Sequence, residues 1–200
     1  MKNKIKKLAE LALLTAIVLV FQMLGGFIHI GPTSISLVLI PIVIGAILTG
    51  PGGGAFLGFV FGLITYLAGV TGTDLFTATL FASQPIATGI ICLAKGTLAG
   101  LVSGAIYKAI ANKSSFLASI LAAAAAPIVN TGIFILGGLF LVNGTLTANL
   151  ATFGASGQTV VYFLIIGCAG INFIAEFFVN LVISPAIHTV VRAVDRKLTH

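Results

Sequence analysis

The sequence predicts an all-α integral membrane protein, a single domain over residues 1–200 built as one bundle of six transmembrane helices with both termini in the cytoplasm. Three observations carry this. First, 58% of the 200 residues are hydrophobic and only 7% are charged, with a mean hydropathy of +1.20. An ordinary soluble domain carries about 25% charged residues, so this chain lacks the polar groups to form a hydrated surface and takes lipid as its solvent. Second, apolar runs long enough to cross a hydrocarbon core, about 17–25 residues, recur approximately at 8–28, 34–50, 54–71, 85–108, 116–142 and 160–188. Third, the positive charges gather at the chain ends and in one connection.

The first run follows Lys2, Lys4, Lys6 and Lys7. It is longer than the 7–15 residues of a secretory h-region and ends without a small-x-small cleavage site, so a retained helix is expected. His29-Ile30-Gly31-Pro32 breaks the chain. The second and third runs are short and joined by Gly50-Pro51-Gly52-Gly53, which predicts an antiparallel hairpin. Thr71-Gly72-Thr73-Asp74 ends that hairpin, and Asp74, like His29, is expected in an outer loop. The fourth run opens at Pro85, the fifth follows the charged turn Asn112-Lys113-Ser114-Ser115, and a polar stretch from Asn143 to Gln158 precedes the sixth. Cys92 and Cys168 lie inside apolar runs and read as buried thiols rather than a disulfide.

Orientation follows from counting. With the N-terminus inside, nine of the ten Lys/Arg are cytoplasmic: the four at the start, Lys108 and Lys113, and Arg192, Arg196 and Lys197. Only Lys95 then lies within a span, and the positive-inside rule selects this orientation. The net charge of +6 therefore reports topology and contact with anionic headgroups, and no nucleic-acid partner is expected.

Small residues recur every fourth position, at Ala12 and Ala16, at Gly54, Gly58 and Gly62, and at Gly96, Gly100 and Gly104. Such rows let helix backbones approach closely inside a bilayer. Polar groups within spans are rarer and need a reason, because a central charge costs about 2.5–3.5 kcal/mol on insertion scales. Lys95, Asn130, Asn172, Glu176 and Asn180 stand out. The last three form an i, i+4, i+8 stripe. At 1.5 Å per residue, Lys95 lies about 15 Å from the Pro85 end of its helix, and Asn130 and Asn172 about 18 Å from theirs. Three helices thus bring polar groups to one level, a plausible floor for a small polar or anionic solute, while a structural Lys95–Glu176 pair is the competing reading.

Several classes are disfavoured. No HExxH, paired histidine set or nucleophile–base arrangement appears, so no catalytic residue, metal or cofactor is expected. The glycines around Pro51 lack the Lys-Ser/Thr of a phosphate-binding loop, so uphill transport would need an external energy source.

The stretch Leu39-Ile40-Pro41-Ile42-Val43-Ile44-Gly45-Ala46-Ile47-Leu48-Thr49-Gly50-Pro51, continuing through Gly54-Ala55-Phe56-Leu57-Gly58 to Phe61-Gly62-Leu63, resembles the substrate-binding S components of energy-coupling factor (ECF) vitamin transporters. Asn130-Thr131 and Asn172 with Glu176 add to the resemblance, which covers nearly the whole chain. It implies a bacterial plasma-membrane protein that captures a vitamin from outside and docks on a transmembrane T protein and two ATPases. It also implies that Ala12-Leu13-Leu14-Thr15-Ala16 is the docking motif, and that Gln84, Lys95, Asn130, Asn172 and Glu176 lie on the substrate side. The sequence is most similar to the pantothenate type, in which Lys95 is a sensible counter-ion for a carboxylate. Where similar sequences have Pro-Arg this one has Ala94-Lys95, a point charge in place of a bidentate fork. Another vitamin such as riboflavin, or a nucleobase-like precursor, is the alternative ligand. A small uniporter or channel and a non-transporting membrane scaffold are the alternative classes.

Overall fold

A computed structural model describes residues 2–25, 29–30, 33–34 and 37–196, with side chains described over 5–25 and 37–189. In chain order it comprises α1 (Lys2–Gly25), a two-stranded antiparallel ribbon of β1 (His29–Ile30) and β2 (Thr33–Ser34), α2 (Leu39–Thr49), α3 (Pro51–Thr71), α4 (Leu75–Ser83), α5 (Pro85–Ile110), α6 (Ser115–Phe140) and α7 (Asn143–Asn149). The run from residue 160 onward is continuous: α8 (Val160–Tyr162), a π-helical segment (Phe163–Gly170) and α9 (Ile171–Arg196). The expected turn residues Gly31 and Pro32, the side chain of His29, and Lys197 fall outside the described residues.

Among the described residues, five helices are long and apolar enough to cross a membrane, Ile5–Gly25, Pro51–Thr71, Pro85–Ile110, Ser115–Phe140 and Val160–Thr189. Their outer faces carry large apolar side chains, with Ile86 and Phe140 each 79% exposed and Val182 75% exposed. A bilayer rather than water suits such a surface. The span expected at 34–50 is shorter in the structure. Its helix, α2, has 11 residues, about 16 Å of rise, because the ribbon and the turn at Leu37–Val38 occupy the start of the run. α2 is nevertheless central, with Leu39, Ile42 and Val43 fully buried.

Two short helices occupy segments expected to be connections. α4 forms because Asp74 caps it, its carboxylate accepting from Thr77 N–H at 2.7 Å, and Pro85 then starts α5 in the position proline tolerates. α7 fills part of the polar stretch after α6.

The glycine rows explain how α3 and α5 pack. A β-carbon built at Gly58 would meet the carbonyl oxygen of Gly96, one at Gly54 that of Gly100, and one at Gly62 that of Cys92. The two backbones therefore run antiparallel in direct contact, which only glycine permits. α5 and α6 are tied by a buried bond from Ser103 Oγ to the Ala122 carbonyl at 2.8 Å. In α9, Pro185 has no N–H for the Leu181 carbonyl, and Ser184 Oγ donates to that oxygen instead at 2.7 Å.

These contacts order the two ends of the bundle. Leu11 lies beside Gly53, Gly104 faces Pro51, and the Phe116 and His188 rings meet edge-on at 5.5 Å. The start of α1, the α2–α3 turn, the α5–α6 connection and the later part of α9 therefore share one end. Lys6, Lys7, Lys108 and Lys113 belong to it.

Candidate functional site

Between α5, α6 and α9 lies a cavity of about 70 Å³ lined by Lys95, Asn130, Thr131, Asn172 and Glu176, with Phe134 and Phe173 among its apolar walls. Each polar group is there for a local reason. Lys95 immediately precedes Gly96, whose lack of a side chain holds α5 against α3, so the lysine stem emerges beside Phe61 of α3. Asn130 follows the interior Pro127 of α6 by three residues. Asn172 stands one residue past the start of α9, where its Nδ2 donates to the Cys168 carbonyl at 3.0 Å, across the junction with the π segment. Such π segments inside long helices frequently mark functional sites.

The electrostatics of the cavity are uneven. Lys95 Nζ lies 5.4 Å from the ring centroid of Phe61 and 5.7 Å from that of Phe134, a cation held between two aromatic faces. Among the described residues Lys95 makes no ion pair, whereas Lys6 pairs with Glu10 at 3.6 Å near the start of α1. Asn130 is 7% exposed and its Oδ1 has no hydrogen-bond partner. A buried polar atom of this kind needs a ligand or solvent to complete it.

Of the residues expected at the site, Lys95, Asn130, Asn172 and Glu176 come together around one cavity. Gln84 does not line it. It sits at the α4–α5 junction, where its carbonyl accepts from the Thr88 hydroxyl at 2.8 Å. Asn180, the third member of the stripe, is 1% exposed, and its Nδ2 donates to the Glu176 carbonyl at 2.8 Å. Two participants escaped the sequence reading. Phe134 and Phe61 form the aromatic faces over Lys95, and nothing in their spacing distinguished them from other apolar positions. Asp74, expected in a solvated loop, is partly buried and lines a neighbouring cavity; the Asp-x-x-Thr cap signal before an apolar run could have indicated this.

The chain matches the family described as ECF transporter, substrate-specific component, over residues 6–188. It is also 29% identical, over an alignment of 200 residues covering 93% of each chain, to the pantothenic acid transporter PanT of Lactococcus lactis subsp. cremoris (strain MG1363). The family is one of transporters rather than enzymes, and with several apolar helices it fits a multi-pass protein of the bacterial plasma membrane. The chain belongs to the substrate-specific (S) components of ECF transporters.

Proposed function

We propose that this S component captures pantothenate from outside the cell and delivers it to the cytoplasm when docked on an ATP-driven module of a T protein and two ATPases. The observation that carries the substrate is Lys95, a cation within the bundle without an ion-pair partner among the described residues, beside the open acceptor of Asn130. A carboxylate ligand supplies the missing charge. The likeness to a pantothenic acid transporter supports the same choice. Riboflavin and nucleobase-like compounds carry no carboxylate to meet this cation.

Three further features support the transport cycle. Ala12 and Ala16 are exposed on one face of α1, giving a second helix a place to approach closely. The Lys-bearing end of the bundle faces the cytoplasm by the positive-inside rule, which puts the α4 end outside. α2, with the chain leading into it, acts as the sixth crossing; its short helix is tolerated because it is buried in protein rather than exposed to lipid.

The test is uptake of labelled pantothenate into sealed vesicles. The chain alone binds but does not accumulate the vitamin, and accumulation requires the module and ATP. Concentrative uptake by the chain alone overturns the reading.

A further inference from the structure

A second cavity, of about 80 Å³, lies on the α4 side of the first, and Lys95 and Phe134 line both. Space of this order holds two or three water molecules, whereas small-molecule sites run to about 300–1,000 Å³. Neither chamber alone accommodates a vitamin. Because they meet at Lys95 and one phenylalanine ring, an elongated ligand that moves Phe134 aside occupies both.

The chambers differ in chemistry. The first offers the lysine cation, two amides and the Glu176 carboxylate. The second carries Asp74, Thr65, Thr77 and Thr88 on an otherwise apolar wall that includes Phe76 and Ile91. The Thr65 hydroxyl already donates to the Phe61 carbonyl at 3.0 Å and that of Thr88 to the Gln84 carbonyl at 2.8 Å. Both therefore face the chamber with lone pairs. Asp74 adds a carboxylate, which when ionised only accepts, and one of its oxygens already takes the Thr77 N–H. Away from the shared Lys95, the second chamber is thus rich in acceptors and suits a group that donates.

We propose that Asp74, with Thr65 and Thr88, forms a specificity subsite for hydroxyl or amide N–H donors at the end of the ligand remote from a carboxylate held by Lys95. This rests on the reading of Lys95 as the ligand's counter-ion. The ligand class is a carboxylic acid with donors at its far end, and an acid with an apolar far end binds more weakly because it forgoes these hydrogen bonds.

Asp74→Asn tests this cleanly, because asparagine caps a helix as well as aspartate does and α4 is retained. Calorimetric titration compares three probes on the purified protein: pantothenate, its alcohol analogue lacking the carboxylate, and an N-acyl-β-alanine lacking both hydroxyls. The parent prefers pantothenate to the hydroxyl-free acid at least tenfold. Asp74→Asn reduces that preference about tenfold, the loss of one charge-assisted hydrogen bond, while affinity for the hydroxyl-free acid changes less than twofold. Thr88→Val acts in the same direction but less. Equal weakening of both acids by Asp74→Asn, or weakening of neither, overturns the inference. If the parent prefers another vitamin, the pantothenate reading fails by itself. The same variant tested on that vitamin and its donor-free analogue then decides the subsite. A best ligand without such donors, or no ligand in the panel, overturns the subsite as well.

Discussion

Replacing Gly58 by alanine adds one methyl group at the point where α3 and α5 touch. The new carbon would lie 3.0 Å from Thr97 N and closer still to the Gly96 carbonyl, against about 3.5–4.0 Å for an unstrained contact. These neighbouring atoms are backbone, so relief requires the helices to part by roughly 1 Å, and overpacking of this kind costs about 1–3 kcal/mol. Alanine also gains about 0.8–1.0 kcal/mol over glycine in a helix interior. Gly132 of α6 isolates that gain, since nothing lies within 4 Å of a β-carbon built there. Thermal unfolding of the purified protein in detergent should therefore rank Gly132→Ala above the parent and Gly58→Ala below Gly132→Ala, with the difference equal to the overpacking term. Phe61, which lies over Lys95, sits one turn from Gly58, so pantothenate affinity should fall in Gly58→Ala and hold in Gly132→Ala. If Gly58→Ala is as stable as Gly132→Ala, the backbone contact described here is wrong.

Other consequences can be checked separately. Ala12→Trp or Ala16→Trp should abolish co-purification with the ATP-driven module while vitamin affinity in the isolated protein is retained; normal co-purification and uptake would remove the docking role. In a background lacking Cys92 and Cys168, a cysteine at Lys113 should resist impermeant thiol reagents applied to intact cells and one at Gly154 should react, whereas the reverse pattern would invert the topology. Ser184→Ala should destabilise the protein by about 1–2 kcal/mol, because the Leu181 carbonyl beneath Pro185 then loses its donor; an unchanged melting temperature would show that carbonyl to be satisfied otherwise.

Much of the site was legible because helical rise is regular. Counting residues from the helix ends brought Lys95, Asn130 and Asn172 to a common level, and the i+4 stripe put Asn172, Glu176 and Asn180 on the buried side of α9. The Gly50-Pro51 break gave the α2–α3 turn, where Gly50 has φ of 91°, a conformation that favours glycine. The features that escaped depend on tertiary context. α4 is nine residues long, too short for its apolar pattern to stand out, and in sequence its cap looks like any loop carboxylate. The π segment at Phe163–Gly170 has no local signature, and its Phe163, Leu164 and Cys168 pack in one cluster with Phe76 and Leu146, residues distant in sequence. The shortening of α2 likewise comes from the ribbon ahead of it, which hydropathy does not register.

The central claim is that Lys95 holds an anionic group of the substrate, and the most direct measurement is calorimetric titration of pantothenate into the parent, Lys95→Met, Glu176→Gln and the double variant, each with its melting temperature. Removing the charge partner of a buried ligand group should cost about 2–5 kcal/mol, at least tenfold in affinity, so a folded Lys95→Met should bind at least tenfold more weakly and the double variant no better. A purely structural Lys95–Glu176 pair requires the opposite: Lys95→Met melts lower, and the double variant regains stability with affinity unchanged. Folded Lys95→Met binding pantothenate as tightly as the parent would contradict the account.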